Sequence, residues 1–453
     1  MRRIILLFCV LSCLAVLPTS SHAYTRRSTD SMLLYNGRIY TMEERPQVVE
    51  AILIRGKRII AIGPTRRLLR LAGPRTELID LKGKVAFPGF IDPHTHLFNM
   101  AEAKGLTLDE AQQLAIENGI TAVANMFTNP PQAEQYIRYA KEGNMRIRLF
   151  LYLVQTDSCG TFWGRWYRAF PVGKYAPKLW INGIKIFIEG SICGQRWVRP
   201  VFSDELLANF TQEGLDLWGD DKLHLSLDEF VRVAKRADRL GYQIAIHAIG
   251  DLGVETSLRG LNQVIRRGRN KHRHMILHNY FIRDDLFHLY EMSNIIALIE
   301  PLSRCHTSRY GKLVGEENKP LFKRWRELAE RQIHIGLDSD WPNTGYGGLN
   351  PMRKLYAVVT GYNTFEFYEP YEPCAEPPVD QTITVDQALK MMTIEAAYAM
   401  KSEKRIGSLR RGKLADIVVL SDDPYVIDPL DLRNIRILMT IVGGKVEFQS
   451  PDF

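Results

Sequence analysis

Eight short apolar runs mark the middle of the chain: VAFPGFID, TAVANMF, RIRLFLYLV, GIKIFIEG, YQIAIHAIG, HMILHNYF, NIIALIEP and IHIGLDSD. Each is rich in β-branched or aromatic residues and too short for a helix, so each reads as a buried strand. Segments with helical periodicity fall between several of them, notably LDEAQQLAIENG, PQAEQYIRYAKEG and LDEFVRVAKRADRLG, the last stopped by Gly241. Eight strand–helix units within one domain's length predict a closed (β/α)8 TIM-like barrel rather than an open doubly wound sheet. No glycine-rich phosphate loop follows any run, which counts against nucleotide binding. Outside the barrel the pattern changes. MLLYNGRIYTMEE, AILIRGKRIIAIGP and TELIDLKGKVAFPGF near the start, with ADIVVLSDDP and ILMTIVGGKVEF near the end, are strands split by Gly and Pro. Both chain ends are therefore expected to build one small β-sandwich domain. The division is residues 24–85 and 406–453 for that domain and 86–405 for the barrel.

The first 23 residues add a different signal. Arg2 and Arg3 precede an apolar stretch from Ile4 to Leu17 and a small-x-small ending at Ser21, His22 and Ala23, the pattern of a secretory signal peptide cleaved before Tyr24. The stretch is too short for a stable membrane span, and the mature chain is expected outside the cytoplasm, periplasmic or secreted, by the general or the twin-arginine route. A net charge of +8 is scattered along the chain without a basic, aromatic-interleaved helix, so nucleic acid is not the expected partner. Four cysteines lie beyond the leader, Cys159, Cys193, Cys305 and Cys374. They form no CxxC pair, which argues against a cysteine zinc site. Packed free thiols are the expectation, with one or two disulfides the alternative. Assembly into a homo-oligomer is left open.

Candidate chemistry gathers where the apolar runs finish. His94 and His96 share one face at the end of the first run, because residues two apart in a strand point the same way. Lys185 lies in the fourth run, His247 in the fifth, His278 in the sixth, and Asp338 and Asp340 close the eighth. Strands of a barrel converge at their C-terminal ends, so residues distant in sequence would surround one point there. Imidazoles and a carboxylate in that arrangement suit a divalent ion, and Asp340 can also take a proton. In GIKIFIEG the isoleucines are expected to face the helices, which turns Lys185 and Glu189 into the barrel, where an ion pair between them competes with the use of Lys185 on a metal. Gln195, Arg196 and Trp197 after the fourth strand, and Trp341 and Asn343 after the eighth, are candidates to touch substrate, loop packing being the alternative.

FPGFIDPHTHL, GIKIFIEGS, IAIHAIGD, ILHNYF, GLDSDWP, ITVDQALKMMTIEAAYAM and IGSLRRGKLADIVVLSDDP together resemble the amidohydrolase superfamily, in particular amidohydrolase family 3 with its N-substituted formamide deformylases. The resemblance implies a metal-dependent hydrolase with one or two divalent ions, zinc being the expected one. His94, His96 and Asp340 would hold one ion, His247 and His278 the other, with a carbamylated Lys185 as bridge. It implies Asp340 as general base and hydrolysis of a carbon–nitrogen bond in a small amide-like molecule. Glu189 stands where the branch usually has Asp, Asp338 where it has a small residue, and the segment between the first two strands is shorter than usual. A deaminase, a cyclic-imide or ester hydrolase, and a catalytically inactive metal- or solute-binding protein are the competing readings.

Overall fold

The computed structural model describes residues 31–193, 196–218, 222–301, 313–343, 346–362 and 381–453. The expected leader, 1–23, lies outside them, as do Cys305 and Cys374.

All eight runs supply barrel strands. In order these are Phe90–Thr95, Ile120–Thr128, Arg148–Thr156, Leu179–Phe187, Gln243–Ala248, Met275–His278, Ile296–Ile299 and Ile335–Leu337, hydrogen-bonded in sequence order. The pairings between neighbours are parallel. The seam between the eighth strand and the first is bridged just past the strand ends, where the Asp340 amide donates to the His94 carbonyl (3.0 Å) and the His96 amide to that of Trp341 (2.8 Å). The closing bonds are thus made by the residues proposed to do chemistry.

Side-chain alternation follows from strand geometry. Ile184, Ile186 and Ile188 face outward, into a core shared with Phe230, Ala234 and Leu258 of the surrounding helices. Ile91, Ala124, Phe150, Tyr152, Ala245, Leu277 and Leu298 fill the interior, and helix Ile394–Ala399 adds Ala396, Ala397 and Ala399 to that inner core. The predicted helices form at Leu108–Glu117, Pro130–Lys141 and Leu227–Arg239, each begun by a capping box, from Thr107, Asn129 and Ser226. Gly241, at φ 85°, follows the last of these, as its left-handed conformation requires of a helix stop.

Two sheets from the chain ends pack face to face. One has the order Arg58–Gly63, Ala51–Arg55, Ser31–Tyr35, Glu77–Asp80; the other runs Lys445–Gln449, Ile437–Val442, Ile417–Leu420, Val85–Pro88, Arg38–Tyr40, Val48–Val49. Their shared core includes Leu34, Ile52 and Ile54 from the first sheet and Ala86, Ile417, Val419 and Met439 from the second. The first apolar run therefore does two jobs. Val85–Pro88 pairs with Ile417–Leu420 in the sandwich, and only Phe90–Thr95 enters the barrel. The break is at Gly89, where a Cβ would lie 2.2 Å from Thr121 Cγ2. The expected division after residue 85 falls inside the sandwich strand.

Candidate metal centre

The C-terminal ends of the barrel strands surround a cavity of about 300 Å³. Its lining includes His96, Lys185, His247, His278, Asp340 and Asn343. His94 sits behind them, fully buried, with Nε2 3.3 Å from Asp340 Oδ1, and His96 Nε2 approaches the same oxygen at 3.3 Å. These three offer ligand atoms within 4.8 Å of one another. The His278 ring lies 5.0 Å from that of His94 and 4.3 Å from that of His247, centroid to centroid.

The backbone is bent to aim these groups. His278 (φ 72°), Asn279 (φ 53°) and Asp340 (φ 44°) all occupy the left-handed region. For a residue other than glycine this costs on the order of 1–3 kcal/mol, and such strain persists where surrounding structure enforces it. Asn279 supplies part of the enforcement, its Nδ2 donating to the carbonyls of Ile276 and Leu298 at 2.9 Å each.

Three histidines have one ring nitrogen engaged by an oxygen acceptor. His96 Nδ1 is 3.2 Å from Asn99 Oδ1, His247 Nε2 is 3.2 Å from the Gly190 carbonyl, and His278 Nδ1 is in direct contact with Glu300 Oε1. An oxygen acceptor on one nitrogen fixes the tautomer that leaves the other nitrogen's lone pair free for a metal. His94 differs: Nδ1 lies 3.4 Å from Asp338 Oδ1, and neither ring nitrogen makes a hydrogen bond among the described residues. Burial holds His94 well below the usual imidazole range against the upward pull of Asp340. Burial does the same to His247, helped by His278 and Lys185. Asp340 stays below the ordinary carboxylate range although burial pushes it up, because His94 and His96 outweigh that push. Neutral imidazoles beside an ionised carboxylate are a donor set for a divalent ion.

Lys185 is wholly buried, and its Nζ has no hydrogen-bond partner among the described residues. Burial lowers its pKa to about 7, opposed by Asp340, Asp338 and Glu300. The competing ion pair of Lys185 with Glu189 is not what the chain forms. The strand ends at Phe187, so strand parity no longer governs Glu189. Its carboxylate instead accepts the amides of Val201 (2.7 Å), Gly250 (2.8 Å) and Ile249, around the start of helix Asp251–Val264. Burial still pushes that carboxyl up to about 8, against those three donors.

Among the substrate candidates, Asn343 lines the cavity and donates from Nδ2 to both oxygens of Asp340, at 3.2 Å each. Trp341 does not line it; its side chain is fully buried in the core between barrel and helices. Gln195 lies outside the described residues, and for Arg196 and Trp197 only the backbone is described, as a short strand paired with Ile192–Cys193. Residues not anticipated are Asn99, Met100, Phe127, Ser158, Phe187 and Ser191 around the cavity, and Glu300 behind it. Glu300 had a signal, a polar residue at the end of the seventh run, in the same place as His278 in the sixth. Two cysteines expected as free thiols are joined instead. Cys159 and Cys193 form a disulfide, Cα to Cα 5.0 Å. They follow the third and fourth strands, which are neighbours, so their loops lie side by side at the barrel mouth.

The sequence model of the Amidohydrolase family matches residues 77–125 and 107–448. The chain belongs to the amidohydrolase family. Similar proteins include LONG AFTER FAR-RED 3 of Arabidopsis thaliana, 28% identical over 59% of this chain and 43% of that protein. The N-substituted formamide deformylase of Arthrobacter pascens is 26% identical over 49% of this chain and 40% of its own length. This amidohydrolase thus spans less than half of either relative. The imidazolonepropionase of Symbiobacterium thermophilum is 24% identical over 87% of this chain and 92% of its own. The fold is shared with a metal-dependent hydrolase from Pyrococcus furiosus, TM-score 0.70 at 19% identity, over 87% of this chain and all of the other.

Proposed function

We propose that the protein is an exported, metal-dependent hydrolase of non-peptide carbon–nitrogen bonds in small amide-like or formamide-like molecules. One observation carries the reading: four imidazoles, the Asp340 carboxylate and a buried Lys185 amine with no hydrogen-bond partner among the described residues meet at the mouth of the barrel beside a cavity of about 300 Å³. In this reading His94, His96 and Asp340 hold one divalent ion, zinc by preference, and His247 with His278 a second. Lys185, once carbamylated, would be the group placed to hold both. An unprotonated amine is the form that reacts with carbon dioxide, and a depressed pKa favours it. A bound ion would lower the pKa of water from 15.7 towards about 7 and polarise the substrate carbonyl.

The chain's own residues do the rest. Asp340 takes the proton from the attacking water and returns it to the departing nitrogen, so that the carbon–nitrogen bond breaks as the new carbon–oxygen bond forms and an amine leaves. Asn343 keeps both Asp340 oxygens oriented for that transfer. Met100, Phe127 and Phe187 offer an apolar wall for a substrate's organic substituent. Cleavage of a ring of the imidazolone kind is the second reading, favoured by the near full-length match to imidazolonepropionase. Residues 1–23 support export.

The test is turnover of zinc-loaded protein on formamides, N-acyl amino acids, cyclic amides and aminopurines. Release of amine from a linear amide or formamide is the expected result. Stoichiometric zinc with no turnover on any of these classes would favour an inactive binding protein.

A further inference from the structure

We infer that Glu300 is a positioning residue of the metal centre, a carboxylate supplied by the seventh strand that accepts the Nδ1 proton of His278 and thereby aims its Nε2 at the ion. The inference rests on the reading above that His278 is a ligand, and it adds a member to the site from a strand that the ligand set does not use.

The geometry is specific. Glu300 follows strand Ile296–Ile299 directly and is 1% exposed. Oε1 contacts His278 Nδ1 as a hydrogen-bond acceptor would. His94, His278 and Glu300 also offer ligand atoms within 4.8 Å of one another, so direct ligation by Glu300 is the alternative that the experiment separates. Besides His278, the Lys323 ammonium and the Tyr280 side chain act on this carboxylate and help hold it ionised. A buried carboxylate is costly unless donors or cations compensate it, and His278 is first among those that do so here.

Both partners are held from behind. The Lys323 ammonium donates to the backbone carbonyl of Glu300 at 3.2 Å and lies 4.3 Å from the centroid of the Tyr280 ring. Asn279 ties the sixth strand's end to Leu298 in the seventh, and the left-handed φ of 72° at His278 turns its ring away from the course the strand would otherwise give it. Strands six and seven are neighbours, so the end of one can orient a side chain at the end of the other. Only a side chain with an acceptor at this depth satisfies Nδ1, and an acceptor there commits Nε2 to the ion.

The experiment measures zinc affinity of the full chain by competition with a chromophoric chelator, for Glu300→Ala, Glu300→Gln and His278→Ala, with circular dichroism of each metal-free protein as the folding control. Glu300→Ala is expected to lose on the order of 10- to 100-fold in affinity. Glu300→Gln keeps an acceptor oxygen without the charge and is expected to recover most of that loss, with an unchanged visible spectrum when loaded with cobalt. An alanine variant that binds zinc as well as the wild type would overturn the inference. So would a glutamine variant that loses as much as alanine or shows a shifted cobalt spectrum, since the carboxylate would then be a ligand itself. Should the alanine variant not fold, the glutamine affinity and spectrum decide alone. Undiminished zinc binding by His278→Ala would instead defeat the ligand assignment on which the inference rests.

Discussion

Asp338 and Asp340 share strand parity, and at residue scale the sequence leaves them rivals for the role of base. Their surroundings separate them. Asp340 lines the cavity beside two imidazoles and is held ionised, whereas Asp338 is fully buried on the far nitrogen of His94. Burial pushes Asp338 well above the usual carboxylate range, reinforced by Glu300 and Asp92. Asp340→Asn is therefore expected to lower kcat by about 10²–10⁴-fold with a smaller change in KM, because an amide cannot take the water's proton. An active Asp340→Asn alongside a dead Asp338→Asn, in steady-state kinetics, would reverse the assignment. The histidines were legible because HxH spacing and strand-end placement are local patterns. Glu300 closes an apolar run as His278 does, but that placement alone does not say that it contacts His278 on the neighbouring strand. Trp341 misled for the opposite reason. Its neighbour Asp340 faces the cavity, but one residue further the ring packs outward among helices.

At the scale of elements, short apolar runs rich in β-branched and aromatic residues marked all eight barrel strands, and period-3.6 patterns the helices begun by Thr107, Asn129 and Ser226. What they could not mark was the division of one continuous apolar run at Gly89, which depends on the approach of Thr121. Nor could they pair the cysteines, since the Cys159–Cys193 bridge depends on which loops are neighbours. That bridge ties two segments whose adjoining residues, Ser158 and Ser191, both line the cavity. Its cysteines are 34 residues apart, a separation for which loop-closure entropy gives a stabilisation of about 4 kcal/mol. Cys159→Ser is expected to lose up to that amount in urea unfolding and to raise KM more than it lowers kcat, since it loosens a cavity wall and leaves Asp340 in place. Unchanged stability and KM would show that the loops hold without the bridge.

On the scale of the whole molecule, barrel and sandwich are joined by a buried ion pair. Arg148, in the third barrel strand, meets Asp416 through Nε and a terminal nitrogen at 2.7 Å each, and Asp416 Oδ1 also accepts the Gly443 amide at 2.7 Å. Rigid attachment at the closed end leaves the strands' other ends to carry the cavity, the division of labour that barrel architecture provides. No helix among the described residues is long and apolar enough to cross a membrane. The central claim is that this barrel mouth is a hydrolytic centre that works only with a divalent ion held by the strand-end histidines and Asp340. The most direct measurement is amide or formamide hydrolysis by protein stripped with chelator and then titrated with zinc, metal content being determined on the same samples. Turnover should vanish on stripping and return in proportion to bound zinc, saturating at one or two ions per chain, with His94→Ala failing both to bind and to recover. Hydrolysis that survives complete removal of metal, or zinc binding and recovery undiminished in His94→Ala, would contradict the account.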